Sequence, residues 1–288
     1  MADSEEVQFR LLQRVLGIAR EAHLTGAAVA VYDYQTGFHF SCEADKWFHA
    51  ASTIKLAILF GLFRAADEHR LSLSDQLHVR NRFLSVVDGS PYRLEISRDS
   101  NSEIHDRIGR TMSMMDLAEA MIVTSSNLAT NLLVDYLEIP YIQQTLRSAN
   151  IEGIDFVRGV EDHLAYERGL NNRVTARGLL SLFQALYEHR RHLSEGSQAK
   201  MLNILFGQRF NRMIPAALPP EAKVAHKTGE ISTVCHDAGM VFLPGRKPYG
   251  LVILTEFDPN QIKRSEPLAA ISGAVYESLV PKDETVKV

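Results

Sequence analysis

Ser52-Thr-Ile-Lys55-Leu-Ala-Ile-Leu-Phe-Gly-Leu-Phe63 is the stretch from which the rest of the chain can be interpreted. After Lys55 it is apolar on every side, and a helix of that composition is buried within the protein. The helical pattern extends over Ala51–Ala66. The sequence therefore predicts a central, buried helix with Ser52 at its start.

Ser52 and Lys55 lie three residues apart and therefore share one face of the predicted helix. Burial lowers the pKa of a lysine, so a neutral Lys55 amine could take the Ser52 proton. The helix start also favours an oxyanion. The spacing alone is a weak signal, because Ser197-Gln-Ala-Lys200 repeats it among polar residues. The alternative is a helix cap at Ser52 and a surface charge at Lys55.

Ser125-Ser-Asn127 falls inside a second helical pattern, Ser113–Tyr136. A serine and an amide two residues apart can border a cleft where a helix starts or kinks. The hydroxyl can then relay a proton, and the amide can hold a substrate carbonyl. Ser148-Ala-Asn150 shows how readily this pattern arises, so a capping or turn segment is the alternative.

Lys227-Thr-Gly229 lies on a predicted strand near Val224, for which the pattern covers Val224–Lys227, and the tripeptide occurs once in the chain. Adjacent lysine and threonine side chains can bind a carboxylate by charge and hydrogen bond. A glycine allows a ligand to approach the strand closely. The alternative is a solvated strand end.

Outside these motifs, apolar periodicity predicts a sheet made from both ends of the chain. A first helix carries Val7, Leu11, Val15 and Ile18 on one face, and a closing helix ends near Leu279. The remaining predicted elements are strands Ala27–Tyr34 and Phe38–Cys42 around Gln35-Thr-Gly37, strands Val234–Leu243 and Gly250–Phe257, and helices Ile142–Ala149 and Thr175–His189.

This order predicts an α/β (α+β) fold, with an antiparallel sheet flanked by the N- and C-terminal helices and a separate helical lobe. Residues 1–51 and 206–288 would form the sheet lobe and residues 52–205 the helical lobe of one domain. The cleft between the lobes is where a site is expected.

Composition excludes several partner classes. The 288 residues carry a formal net charge of −4, so we expect neither nucleic acid nor a membrane as partner. We also expect a monomer that acts on a small-molecule substrate. The start, Met1-Ala-Asp-Ser-Glu-Glu, lacks a secretory signal. This leaves a cytoplasmic protein, or a periplasmic or secreted one whose signal was removed, and the sequence does not decide between them.

Cysteine and histidine usage predicts neither a metal nor another cofactor. Cys42 and Cys235 permit at most one disulfide, and two free thiols are the favoured interpretation. His189-Arg-Arg-His192 has the wrong spacing for a metal pair. His226 and His236 flank the third motif; they could line the cleft, but core or surface positions are favoured.

The three motifs, in this order, resemble those of the penicillin-recognising serine hydrolases, and among them the class A β-lactamases. The resemblance covers nearly the whole chain and implies that one cleft collects all the site residues. The implied roles are nucleophile Ser52, partner base Lys55, proton relay Ser125, substrate-amide contact Asn127, loop brace Asn131, carboxylate ligands Lys227 and Thr228, and an oxyanion hole from the N–H groups of Ser52 and Glu230.

The chain departs from the class A pattern at two places. Ser126 stands where the second motif usually has aspartate, which should change internal bracing more than chemistry. The features of the usual deacylating glutamate are split between Arg158-Gly-Val-Glu161 and Glu167-Arg-Gly-Leu-Asn171. Loop length favours Glu161; Glu167, or neither, stays open.

The resemblance predicts hydrolysis of β-lactam amides through a Ser52 acyl-enzyme that water then releases. The first alternative is a D-alanyl-D-alanine peptidase or small-ester hydrolase of the same fold. The second is a β-lactam sensor that is acylated without turnover.

Overall fold

The computed structural model describes residues 4–188 and 192–280. Nine helices and twelve strands are present in this part of the chain. The helices are α1 (Ser4–Glu21), α2 (Lys55–Asp67), α3 (Met114–Val123), α4 (Asn127–Leu137), α5 (Ile139–Ser148), α6 (His163–Glu167), α7 (Ala176–Glu188), α8 (Glu195–Phe206) and α9 (Glu266–Leu279).

The strands include five that form the main sheet and seven short ones in small pairings. They are β1 (Gly26–Asp33), β2 (His39–Cys42), β3 (Phe48–His49), β4 (Gln76–His78), β5 (Phe83–Leu84), β6 (Pro91–Tyr92), β7 (Thr111–Ser113), β8 (Ile154–Asp155), β9 (Arg173–Val174), β10 (Lys223–Ile231), β11 (Val234–Phe242) and β12 (Tyr249–Glu256).

The main sheet is antiparallel and joins the two ends of the chain, in the order β10-β11-β12-β1-β2. Because side chains alternate across a strand, β1 sends Val29 and Val31 to one face and Ala28 and Ala30 to the other. Both faces are covered, and every β11 residue except Phe242 is buried. The predicted antiparallel sheet is confirmed.

The two terminal helices cover the face that carries Val29 and Val31. Leu11 of α1 and Leu268 of α9 belong to the same buried cluster as this face. The exposed side chains of Arg14 and Glu277 connect the helices, with 2.7 Å between Nη2 and Oε2. The predicted flanking helices are therefore present.

The opposite face of the sheet packs against α7 and, beyond it, the helical part of the chain. A Cβ built on Gly250 would lie 2.6 Å from Leu180 Cδ1, so β12 has no side chain where α7 crosses it. Although α7 lies within residues 52–205, it contacts the sheet directly. The division into lobes at residues 52 and 205 stays a prediction.

The helix predicted from the opening stretch is present and buried. Residues 55–63 are all buried, which agrees with their apolar composition. It starts with a 3₁₀ turn over Ala51–Ile54, so Ser52 lies in the tighter turn that precedes α2. This position brings Ser52 against the edge of the sheet, because the turn contacts β10.

Three details differ from the sequence-based expectations. The pattern over Ser113–Tyr136 is two helices, α3 and α4, because the chain breaks at residues 124–126. Strand β10 continues to Ile231, beyond the predicted end at Lys227, so the whole of the third motif lies on the strand as expected. A helix not singled out, α8, carries Ser197 and Lys200.

Other expectations concern cysteines, metals and membranes. Cys42 and Cys235 are both free and buried. Within residues 4–188 and 192–280, no group of three or more His, Cys, Asp or Glu side chains is arranged to hold a metal ion. No helix in those ranges combines the length and apolar character needed to cross a membrane. Residues 189–191 of the histidine pair lie outside the described residues.

Candidate active site

Ser52 lies at the centre of a cleft between the sheet and the helical part of the chain. It lines two adjoining cavities, of about 560 and 720 Å³. Glu230 on the strand edge lines both of them as well. The preceding residue, Ala51, has a positive φ of 45°, which turns the chain sharply into the 3₁₀ turn. Ser52 is therefore open to a ligand from both sides.

Lys55 is fully buried directly behind this turn. Its Nζ lies 2.6 Å from Ser125 O, 3.1 Å from Ser125 Oγ and 2.9 Å from Asn127 Oδ1. We expected the amine to lie over the Ser52 hydroxyl, but in the described part of the chain its hydrogen bonds go to the second motif. The first and second motifs are thus joined through one amine.

Ser125 occupies the break between α3 and α4. Its φ is 58°, a conformation that costs about 1–3 kcal/mol for a residue other than glycine. The strained turn brings Ser125 Oγ to 3.1 Å from both Lys55 Nζ and Lys227 Nζ. A hydroxyl between two amines is well placed to pass a proton.

Lys227 joins the third motif to this cluster. It is fully buried on β10, an edge strand of the sheet, and its Nζ also donates to Thr228 O at 2.8 Å. A Cβ at Gly229 would lie 3.1 Å from the Ser52 nitrogen and 2.9 Å from the Thr53 nitrogen. Only glycine lets the strand and the Ser52 turn approach so closely.

The edge position of β10 leaves hydrogen-bonding groups directed into the cleft. Backbone groups of an antiparallel strand pair alternately with its neighbour, so those on the free side of an edge strand have no sheet partner. Thr228 and Glu230 both line the larger cavity. This edge can therefore offer N–H groups to a bound carbonyl or carboxylate.

Burial of two amines side by side dominates the electrostatics of the cleft. Burial lowers the pKa of Lys55 to about 7, while the negative charges of Asp99 and Glu161 oppose this shift. The pKa of Lys227 is also lowered well below its usual value, first by burial and then by the nearby Lys55, with Asp237 opposing. A neutral amine is therefore available near neutral pH to act as a base.

Glu161 faces this cluster from a surface loop. Asn127 Nδ2 donates to Glu161 Oε1 at 2.6 Å, so the Asn127 amide spans from Lys55 to the glutamate. Glu161 has a positive φ of 57°. Ala51 and Ser125 also have positive φ values, so three non-glycine residues at the cleft have a strained backbone. It lines the smaller cavity. Glu167, at the end of α6, is exposed and does not line that cavity.

The loop that carries Glu161 is held by amide side chains. Asn131 Oδ1 accepts from Val160 N at 2.8 Å, and its Nδ2 donates to Val160 O at 2.9 Å. Asn172 Oδ1 accepts from the nitrogens of Val157 and Arg158, at 2.8 and 3.1 Å. The implied loop brace, Asn131, is 29 residues from Val160 in sequence and yet holds it, and Val160 directly precedes Glu161.

Both histidines that flank the third motif belong to the interior. His226 Nδ1 lies 2.8 Å from Asp237 Oδ1, and its Nε2 lies 3.0 Å from Asn211 Oδ1. His236 accepts from Thr255 N through Nδ1, which leaves Nε2 to donate to His49 O at 2.9 Å. Burial lowers the pKa of His236 to about 4. His236 therefore supports, as a neutral side chain, the strand that leads to Ser52.

Two residues around the cleft were missed by sequence reasoning. Asp99 is buried beside the start of α4, where it accepts hydrogen bonds from the nitrogens of Asn127 and Leu128, at 3.1 and 2.9 Å. Asp162 caps α6 and accepts from Ser85 and Val86. Neither belongs to a recognisable motif, since an aspartate in a polar loop is typical of turns. The sequence signal for Asp99 was indirect, because Ser126 stands where the second motif usually has a carboxylate.

The assembled cleft can carry out acyl transfer. It presents an accessible hydroxyl at Ser52, a buried amine at Lys55, a second hydroxyl at Ser125 and a carboxylate at Glu161. This cluster, set between an antiparallel sheet and a helical part, defines the class of penicillin-recognising serine hydrolases. A profile described as the Beta-lactamase enzyme family matches residues 11–279. The chain belongs to this family.

Individual relatives agree with this placement. Beta-lactamase ROB-1 of Haemophilus influenzae is 26% identical over 248 residues, covering 84% of this chain and 76% of ROB-1. The solved structure of PBP-A is 26% identical with a TM-score of 0.81, over 94% of this chain and 96% of that one. An acyl-enzyme complex of a PBP-A variant with penicillin G is 27% identical, TM-score 0.76, covering 93% and 95%. Family and relatives support a β-lactamase-type hydrolase.

Proposed function

We propose that this chain is a class A-type β-lactamase in which Ser52 opens the β-lactam amide and is transiently acylated. The observation that carries the proposal is the position of Ser125 Oγ, 3.1 Å from both Lys55 Nζ and Lys227 Nζ, in the cleft that Ser52 lines. One hydroxyl thereby links the residues of all three motifs.

In the acylation step, Ser52 Oγ attacks the lactam carbonyl carbon while its proton passes to the neutral amine of Lys55. The carbonyl oxygen becomes an oxyanion, which the N–H groups of Ser52 and Glu230 stabilise. The C–N bond then breaks, and Ser125 delivers a proton to the departing nitrogen. Ser125 regains a proton from the lysine side, which its distance from Lys55 Nζ supports.

The carboxylate of the substrate would bind at Lys227 and Thr228. Without a ligand, burial and the neighbouring Lys55 lower the pKa of Lys227, so its positive charge is costly there. An anion in the cleft would offset this cost and favour the protonated amine. Carboxylate binding and proton uptake by Lys227 are therefore coupled in this proposal.

Deacylation requires a water activated on the loop side of the cleft. We assign this to Glu161, since its carboxylate is held by Asn127 and lines the cavity beside Ser52. Glu167 is the alternative, and its exposure outside that cavity weighs against it. Water attacks the ester carbonyl while its proton passes to the Glu161 carboxylate. The bond between the carbonyl carbon and Ser52 Oγ then breaks, and the proton held by Glu161 returns through the cleft to Ser52 Oγ, which restores both the hydroxyl and the carboxylate.

The peptidase or ester-hydrolase alternative, and the sensor alternative, keep the same nucleophile. They are favoured by one finding, the likeness to PBP-A, a variant of which forms an acyl-enzyme with penicillin G. In both alternatives, Ser52 would be acylated by a β-lactam and released slowly or not at all. The three proposals therefore differ in the fate of the acyl-enzyme.

Turnover and intact mass should be followed together with a chromogenic cephalosporin. Rapid turnover that Ser52→Ala abolishes supports a β-lactamase. The matched control is Ser197→Ala, which alters the second Ser-x-x-Lys sequence on α8 and should leave turnover intact. A stable adduct on Ser52 without turnover would favour the peptidase or sensor. Neither turnover nor adduct would overturn the β-lactam proposal.

A further inference from the structure

A buried carboxylate from outside the three motifs lies at the start of α4. The Asp99 side chain is 0% exposed. Its Oδ1 accepts from the nitrogens of Asn127 and Asn101, at 3.1 and 3.0 Å. Its Oδ2 accepts from Leu128 N at 2.9 Å and Ser126 Oγ at 3.2 Å, and lies 3.1 Å from His105 Nε2. Five groups therefore converge on one carboxylate.

Such a concentration of donors offsets the cost of burying a charge. An isolated carboxylate in the interior is expensive, whereas one that accepts several hydrogen bonds is tolerated. The first N–H groups of a helix have no partner within the helix, and a negative charge is favourable at that end. Asp99 satisfies the first two of α4, at Asn127 and Leu128, while the Ser126 side chain accepts from Ala129 N. Together they fix where this helix begins.

The residues that Asp99 holds are those that contact the Lys55 amine. Lys55 Nζ bonds to Ser125 O, Ser125 Oγ and Asn127 Oδ1. Ser125, in its strained conformation, lies directly before Ser126, whose hydroxyl donates to Asp99. A shift of the Asp99 carboxylate would move Ser125 and Asn127 together relative to Lys55.

Asp99 also acts on Lys55 through its charge. The charged groups that face the Lys55 amine are Asp99 and Glu161, which favour its protonated form, and Lys227, which opposes it. Asp99 is the larger of the two favourable influences. Removing this charge should therefore lower the pKa of Lys55 further.

We propose that Asp99 is a positioning residue for acylation, supplying from a preceding loop the carboxylate that the second motif lacks at Ser126. It sets the place of Ser125 and Asn127 against the Lys55 amine, and its charge adjusts the proton affinity of that amine. This inference rests on the proposed acylation of Ser52, because it concerns the rate and pH dependence of that step.

The test is Asp99→Asn, which keeps the shape of the side chain and removes its charge. Acylation of Ser52 by a chromogenic cephalosporin should be timed in a single turnover at a series of pH values on both sides of neutrality. We expect the rate constant at its optimum to fall about 100-fold, the effect of a small misplacement of reacting groups. The midpoint of the acidic limb should move to lower pH.

The matched control is Asp67→Asn, since Asp67 also accepts three hydrogen bonds, from Ser194 and Ser197, at the start of α8 away from the cleft. It should lower thermal stability without moving the pH midpoint. If Asp99→Asn behaves like this control, or acylates at the wild-type rate, the positioning role is overturned.

A second variant keeps the inference testable if Asp99→Asn does not fold. Ser126→Ala removes one donor to Asp99, together with the side-chain acceptor for Ala129 N, and keeps the charge. Acylation should slow about 10-fold, less than the misplacement expected above, with an unchanged pH midpoint; an unchanged rate would overturn the role. Failure of the proposed function would be recognised separately, because wild-type protein would itself form no adduct on Ser52, and the inference would then fall with it.

Discussion

The two sides of the cleft are built in different ways. On one side, Lys55 and Lys227 are fully buried on a central helix and a sheet strand. On the other side, Glu161 belongs to a loop whose shape depends on hydrogen bonds from Asn131 and Asn172. The first side is held by packing of the core, and the second by a few amide groups.

This contrast suggests that the two halves of the proposed reaction can be separated. Acylation would depend on the buried lysines, which cannot move without disturbing the core. Deacylation would depend on a loop that is linked to the rest of the chain by polar side chains, among them Asn127, Asn131 and Asp162. Loops of this kind open at lower free-energy cost than core elements do. Changes in the loop should therefore affect turnover before they affect acylation.

The largest effect is expected from Lys55→Met on the buried side. Methionine fills a similar volume but cannot accept a proton, so acylation should slow by about 10²–10⁴-fold, the usual contribution of a general base. The measurement is the growth of the Ser52 adduct by intact mass. Lys200→Met, on the exposed part of α8, should acylate normally. If Lys55→Met acylates at the wild-type rate, Lys55 is not the base for acylation.

Glu161→Gln should have the next largest effect, and on the other half of the reaction. Glutamine keeps the hydrogen bond with Asn127 but cannot take a proton from water. Deacylation should slow about 100-fold or more, so an adduct accumulates while acylation stays within a few-fold of wild type. Glu167→Gln is the matched control and should turn over normally. If Glu167→Gln accumulates the adduct instead, the assignments of the two glutamates must be exchanged.

The pH dependence of acylation should follow the buried amine. Burial lowers the pKa of Lys55 to about 7, and the neutral form is the active one. The acylation rate should therefore be at its plateau above pH 7 and fall about tenfold per pH unit below it. Single-turnover rates at several pH values test this. A rate that is level from pH 5 to 8 would exclude the Lys55 amine as the titrating base.

Asn172→Ala should loosen the loop with a smaller effect. It removes the acceptor for the nitrogens of Val157 and Arg158 and a donor to Arg158 O. The cost should be about 2–4 kcal/mol of local stability, from hydrogen bonds of ordinary strength. Turnover should fall several-fold and amide exchange in the loop should rise, with acylation little changed. Equal losses in both steps would contradict the separation of the two sides.

Much of the fold follows from sequence patterns that are local. Strands such as β1 and β12 are apolar runs bounded by turn residues, and α2 is an apolar run too long for a strand. Their side chains pack into the interior as the pattern requires. The first and third motifs could likewise be placed on their elements, because each lies at or beside such a run.

Apolar periodicity alone does not predict the break between α3 and α4, although a capping or turn segment at Ser125-Ser-Asn127 is the alternative interpretation. Apolar residues continue at helical spacing on both sides, with Met121 and Ile122 before it and Leu128 and Ala129 after it, and no glycine or proline interrupts them. The break depends on the Ser126 side chain, which caps α4 by accepting from Ala129 N, and on Asp99, which lies 28 residues before Asn127 in a separate loop and satisfies the start of α4. A tertiary hydrogen bond of this kind leaves no periodic signal.

The choice between the two glutamates had the same difficulty. Glu161 and Glu167 both lie in a short polar stretch, and motif features were divided between them. Their difference arises from the loop path, which turns Glu161 toward Asn127 through a positive φ and leaves Glu167 on the exposed end of α6. Loop length gave a preference, but only contacts distant in sequence distinguish their surroundings.

The smallest effect on activity is expected for Ser197→Ala, which tests whether a Ser-x-x-Lys sequence has meaning apart from its surroundings. Ser197 Oγ donates to Asp67 Oδ1 at 2.7 Å, away from the cleft. Its loss should reduce the free energy of unfolding by about 1 kcal/mol, measured by denaturant titration, with unchanged acylation and turnover. The same spacing at Ser52 differs because its lysine is buried between the second and third motifs. A loss of activity in Ser197→Ala would contradict this comparison, because burial of the lysine would then not distinguish the two Ser-x-x-Lys sequences.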